Sequence, residues 1–131
     1  MSMAQGLDVS EPVFRGVMDR AFAYLATKDL DHDPKALLFG EVDDAAARLE
    51  KPGSQLSMIF SVSYGLAVLF EDRGVVPDAM TGHSMGEYVA ACLAGVFSFE
   101  DALGLVLLRG QLRDRADVGA LLSVPLTAQV H

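Results

Sequence analysis

Apolar residues recur along several stretches of this chain at helical spacing and predict helices there. In SEPVFRGVMDRAFAYLA, the residues Val13, Phe14, Val17, Met18, Ala21, Phe22 and Leu25 recur at helical spacing and form one buried stripe. Ser10 is placed to cap the first turn, with Glu11 and Pro12 just inside it. The polar stretch TKDLDHDPK ends that helix, and ALLFGEVDDAAARLEKPG predicts a short apolar segment and then a short polar helix stopping before Pro52-Gly53. A long helix follows from Ser54 to about Asp72, with Leu56, Ile59, Phe60, Leu66, Leu69 and Phe70 facing inward and Gly74 as its left-handed C-terminal cap. A compact VVPDAM leads to GHSMG, after which GEYVAACLAG reads as a helix stopped by Gly95. SFEDALGLVLLRGQLRDRA is a further helix, with Ser98 as cap and Asp101 as its capping-box partner. GALLSVPL reads as the opening strand of another unit.

Composition narrows the classes. With 131 residues, 51% of them apolar and 21% charged, the chain suits one domain that buries a core. Eighteen acidic residues against ten basic ones give a net charge of -8, which argues against general nucleic-acid binding. A phosphate-bearing small ligand stays compatible with that sign, because one or two local arginines suffice to hold it. Cys92 is the single cysteine, so no internal disulfide and no CxxC metal pattern exist. In an alanine-rich helix it reads as a small buried hydrophobe. MSMAQGLDVSEP has neither the basic cap nor the apolar run of a signal peptide, and YVAACLAGVF and GLVLL fall short of the ~20 residues of a membrane span. The expectation is a soluble, cytoplasmic protein.

Two clusters carry candidate chemistry. Asp31, His32 and Asp33 are adjacent, so their side chains point apart and Pro34 follows at once; a solvated turn is expected there and no metal site. Gly82-His83-Ser84-Met85-Gly86 fits G-x-S-x-G. A serine projected from a sharp strand-to-helix turn requires strained backbone, and side chains two positions to either side are expected to collide. The helix that follows places its N-terminal N–H groups, Met85 among them, where an oxyanion would form. The bland alternative is a structural bend with an inert serine. His83 cannot serve its neighbour as base, since adjacent residues on such a turn project apart.

GHSMGEYVAACLAGVFSFEDAL closely resembles the malonyl-CoA:acyl-carrier-protein transacylase family, especially the acyltransferase domains of modular polyketide synthases. SEPVFRGVMDRA, SQLSMIFSVSYGLAVLFEDRGVVPDAM and GALLSV extend the likeness over essentially the whole chain. The resemblance implies an α/β fold: an α/β-hydrolase-like core with parallel strands and a nucleophile elbow over residues 1–118, and the start of a ferredoxin-like small subdomain at 119–131. It implies Ser84 as the nucleophile that takes the acyl group of malonyl-CoA or a related acyl-CoA, and Met85 in the oxyanion hole. It further implies Arg109, 25 residues beyond the serine, as the grip on the free carboxylate of the extender unit, with Gln55 and His83 lining the substrate. A guanidinium suits that task because it offers a fixed two-pronged donor. The residue-level alternative for Arg109 is a surface ion pair with Asp114 or Asp117.

No bound cofactor is implied; the acyl acceptor is the phosphopantetheine of an acyl carrier protein, within or beside a larger synthase. The family's GQG loop would lie ahead of MSMAQGLDV, and its catalytic histidine beyond the 47 residues that follow Ser84. An incomplete, inactive piece of the domain is therefore expected. Two other readings compete. One is an α/β-hydrolase or thioesterase using the same serine turn, for which Arg109 would have no task. The other is a non-catalytic remnant that docks a carrier protein.

Overall fold

The computed structural model describes residues 2–117 and 119. They form α1 (Ser2–Ser10), α2 (Pro12–Ala26), α3 (Pro34–Phe39), α4 (Ala45–Leu49), α5 (Pro52–Asp72), α6 (Met85–Leu93) and α7 (Phe99–Asp114), with no strand among the described residues. The expected α/β fold with parallel strands is thus corrected to an all-helical arrangement. A strand exists only through ladder hydrogen bonds to a neighbour. Residues 75–83, where the strand into the serine turn was expected, are irregular. Their sole backbone–backbone bond as donor among the described residues is the turn closing α5, from the Val75 N–H to the Phe70 carbonyl at 2.9 Å. The expected small subdomain, 119–131, lies outside the described residues apart from Gly119.

Helix α5 organises the rest, packing on α7, α2 and α6. Its 21 residues are long enough to cross a bilayer, which corrects the expectation that no segment is; here Met58 and Phe60 are buried in the common core. α5 and α7 run antiparallel: Gly53 lies against Gly110 at one end, and Phe60 and Tyr64 against Phe99 at the other, with ring centroids 5.8 and 4.8 Å apart. A Cβ on Gly110 would stand 2.6 Å from the Gly53 Cα, so only glycine allows this approach. The contact face of α5 is therefore built from small residues. Ser57 and Ser61 are buried there, and their hydroxyls donate to the carbonyls of Gly53 and Ser57 at 3.0 and 2.8 Å. Of the side chains expected inward, Phe60 is buried and Leu56, Leu66 and Leu69 half-buried, while Ile59 and Phe70 are exposed.

Most of the stripe on α2 is found as expected, with Phe14, Met18, Ala21, Phe22 and Leu25 buried, while Val13 and Val17 are only half-buried. Its start differs. Ser10 ends α1, and Glu11 takes the cap position without a side-chain bond, ahead of Pro12 in the first turn. The Ser98 cap of α7 is found as expected, its hydroxyl oxygen accepting from the Asp101 N–H at 3.1 Å; the capping box is not completed, because the Asp101 carboxylate accepts the Ser98 hydroxyl at 2.6 Å and not the Ser98 N–H. Gly74 and Gly95 take the left-handed conformation after α5 and α6, with φ of 84° and 77°. Cys92 is buried on α6, and that burial pushes its thiol above the ordinary value.

Candidate functional site

The loop 75–83 delivers the chain to the N-terminus of α6, where Ser84 occupies the cap position with φ 52° and ψ −105°. Positive φ is rare for a non-glycine residue, and this ψ lies outside the left-handed helical region too. Only Asp44 shares positive φ among the described non-glycine residues, and its ψ of 25° is near the left-handed helical range. Ser84 is therefore held in a costly conformation by its surroundings.

Two contacts hold it. A Cβ on Gly82 would meet the backbone of Gly86 at 1.9 Å and the Glu87 nitrogen at 2.2 Å, so the chain crosses the first turn of α6 at a distance open only to glycine. The Glu87 carboxylate accepts the Gly82 N–H at 3.0 Å and ties the loop to the helix. The collision expected on both sides of the serine is one-sided, since a Cβ on Gly86 would meet nothing within 4 Å.

This geometry frees the groups that chemistry would need. The Ser84 hydroxyl makes no capping bond, and the side chain is exposed. Met85 is the first residue of α6; its side chain is buried, and its N–H has no backbone partner among the described residues. His83 is exposed, and its carbonyl accepts the Gly86 N–H at 2.9 Å. No imidazole or carboxylate hydrogen-bonds the Ser84 hydroxyl among the described residues.

Arg109 stands half-buried on α7 with its guanidinium carbon 5.5 Å from the ring centroid of Tyr88, one turn along α6 from Ser84. No carboxylate pairs with it among the described residues. Asp114, one of the two partners that an ion-pair role would need, turns instead to the Gly53 N–H at 3.0 Å. Gln55 is exposed near the start of α5, two residues past Gly53. The α5–α7 register thus puts Gln55 and Arg109 at the same end of that helix pair. The structure sets Arg109 against α6 through Tyr88, on the helix whose head carries Ser84 and Met85, and adds Glu87 and Tyr88, which sequence reasoning missed. Both stand in GHSMGEY, directly after the motif, so the signal was their position at the head of the helix.

Two cavities flank this arrangement without including Ser84 or Arg109. An apolar groove of about 460 Å³ runs behind the turn, lined by Phe70, Val75, Met80, Gly86, Val89 and Leu93 among others. A more polar one of about 420 Å³ is lined by residues at the start of α5 and the end of α7 and includes His32, Arg48, Lys51 and Asp114. Asp33 sits beside it as the cap of α3, accepting the Lys35 N–H at 3.1 Å. Ser84 lines neither cavity, and its side chain is exposed.

Residues 1–129 match the family described as "Acyl transferase domain". The chain is 37% identical over 127 residues to polyketide synthase GfsA of Streptomyces halstedii, covering 95% of this chain and 2% of that one. It is 37% identical over 126 residues to a component of the phenolphthiocerol/phthiocerol polyketide synthase of Mycobacterium tuberculosis, covering 96% of this chain and 8% of that protein. Among solved structures it is similar to the acyl transferase domain of ZmaA, with a TM-score of 0.82 and 38% identity over 88% of this chain and 27% of that chain. The chain thus spans a small fraction of each of these relatives. By these likenesses the chain belongs to the acyl transferase domain family of polyketide synthases.

Proposed function

We propose that this chain carries the nucleophile and the carboxylate-binding arginine of a malonyl-CoA:acyl-carrier-protein transacylase site. The Ser84 oxygen attacks the thioester carbonyl of malonyl-CoA or a related carboxylated acyl-CoA; the C–S bond breaks and CoA leaves with the serine's proton. The phosphopantetheine thiol of a carrier protein then attacks the acyl-serine and restores the hydroxyl. The Met85 N–H and the N-terminus of α6 stabilise the oxyanion in both steps. Arg109 pairs with the free carboxylate, which selects a malonyl-type unit over an acetyl one. His83 and Gln55 border the acyl group.

The observation that carries the proposal is the strained Ser84 at the head of α6, held by Gly82 and Glu87. The proton acceptor for Ser84 lies outside the described residues in this scheme, and without one the rate drops by a factor on the order of 10⁴ to 10⁶. The reaction belongs in the cytoplasm, where CoA thioesters and carrier proteins meet. Incubation with malonyl-CoA and a holo carrier protein tests it, with the carrier read by mass spectrometry. From this chain alone, malonyl transfer is expected only at that strongly reduced rate, on prolonged incubation, and is expected to disappear in Ser84→Ala; transfer at the rate of a complete site, transfer that survives in Ser84→Ala, or release of malonate to water alone, contradicts it.

A further inference from the structure

Tyr88 has no task in that scheme, yet it is the residue that joins the two halves of the site. It lies in the first turn of α6, four residues after Ser84 in sequence. Its ring stands beneath the Arg109 guanidinium, 5.5 Å from carbon to centroid. Both residues are half-buried. A long arginine side chain has several rotamers, and an unpaired guanidinium at a helix surface samples many of them. No carboxylate holds Arg109 among the described residues. The aromatic face is accordingly the contact that fixes the cation, and it does so without using up the N–H donors. A neighbouring Asp or Glu would fix the guanidinium equally well but would neutralise it and occupy the donors a substrate carboxylate needs. Other arginines of the chain show the contrast: Arg20 lies over Phe99 but is also paired with Glu100, and Arg73 is paired with Glu11.

We infer that Tyr88 is a positioning residue, a ring platform that keeps the Arg109 guanidinium aimed at the acyl group held over Ser84 and so sharpens selection of carboxylated over uncarboxylated acyl-CoA. The inference rests on the proposed role of Arg109. The ring is what matters in it, and the phenolic hydroxyl is dispensable. An exposed to half-buried contact of this kind corresponds to about a twofold to fivefold change in affinity.

The test is calorimetric binding of malonyl-CoA and acetyl-CoA to the full chain carrying Ser84→Ala, which removes turnover and leaves affinity alone. Onto that background go Tyr88→Phe, Tyr88→Leu and Arg109→Ala, each checked for helical content and melting. Tyr88→Phe is expected to keep the malonyl preference. Tyr88→Leu should lower it about twofold to fivefold through malonyl-CoA only, with acetyl-CoA affinity unmoved, and Arg109→Ala should abolish it. A merely structural role would weaken both ligands together. If Arg109→Ala loses the preference while folded Tyr88→Leu retains it, the platform is refuted and the arginine's role stands. If Tyr88→Phe fails as Tyr88→Leu does, the ring is not the operative feature. If the parent background shows no malonyl preference, or Arg109→Ala keeps it, the reading of Arg109 falls and the platform with it.

Discussion

The two glycines of GHSMG look equivalent in sequence and are not equivalent in space, which makes Gly82→Ala against Gly86→Ala an informative pair. At Gly82 the new Cβ would stand 1.9 Å from the Gly86 carbonyl carbon and 2.3 Å from its oxygen. Carbon atoms rest at about 3.5–4.0 Å, so roughly 1.6–2.1 Å of overlap must be relieved. Every atom in the way is backbone in the first turn of α6, so no side chain can swing aside. Relief requires the 82–84 segment to lift from the helix, which also breaks the bond from the Gly82 N–H to Glu87, worth about 1 kcal/mol at an exposed site. Together with the strain, about 2–3 kcal/mol is lost from the turn. The turn lies outside the helical core, so it opens locally and the melting temperature falls by only a few degrees. Acylation of Ser84 suffers far more, because displacement of a reacting atom by about 1 Å costs on the order of a hundredfold. At Gly86 the new Cβ meets open space within a helix, where alanine is favoured over glycine by up to about 1 kcal/mol. That variant should be as stable as the parent or more so, and should acylate within a few-fold of it. Thermal melts by circular dichroism and acylation by malonyl-CoA read both effects. Gly82→Ala that acylates at the parent rate, or two variants that behave alike, would refute the steric account.

Phe60→Ala should cost about 3–5 kcal/mol in denaturant unfolding, since Phe60 is fully buried and packs on Tyr64 and Phe99. Ser98→Ala removes the cap of α7 and should cost about 1 kcal/mol, measured as a shift in urea midpoint with unchanged slope. The Arg20 guanidinium holds the Glu100 carboxyl below its ordinary value. This pair's contribution is therefore fully present above the ordinary glutamate pKa and is lost as pH falls through the lowered folded one. Glu100→Gln should flatten that part of the acid limb of a stability–pH profile; a profile unchanged by the substitution would show that the exposed pair contributes nothing.

Much of this fold is legible in the sequence where a local rule decides it. Most of the α2 stripe, the Ser98 cap and the glycines after α5 and α6 follow from side-chain period and cap chemistry within a few residues. Strands do not, because a strand depends on a neighbour: VVPDAMT precedes the serine turn in a strand-like way, but no described residue pairs with it. The contact face of α5 was misread for a different reason. Hydrophobic periodicity finds large side chains, and α5 meets α7 through Gly53, Ser57 and Ser61, whose value lies in being small. At the site, G-x-S-x-G located the strained serine, and the resemblance located Arg109. Glu87 and Tyr88 were missed because their roles depend on what lies across the turn and across the helix pair, and neither partner is near in sequence.

The central claim is that the strain at Ser84 presents a nucleophile to a carboxylated thioester. The most direct measurement is peptide-resolved mass spectrometry of the folded chain after prolonged incubation with malonyl-CoA, beside Ser84→Ala and Arg109→Ala. A malonyl adduct is predicted on the peptide containing Ser84, absent in the first variant and diminished in the second. An adduct that maps elsewhere, or that forms equally in Ser84→Ala, would contradict the claim.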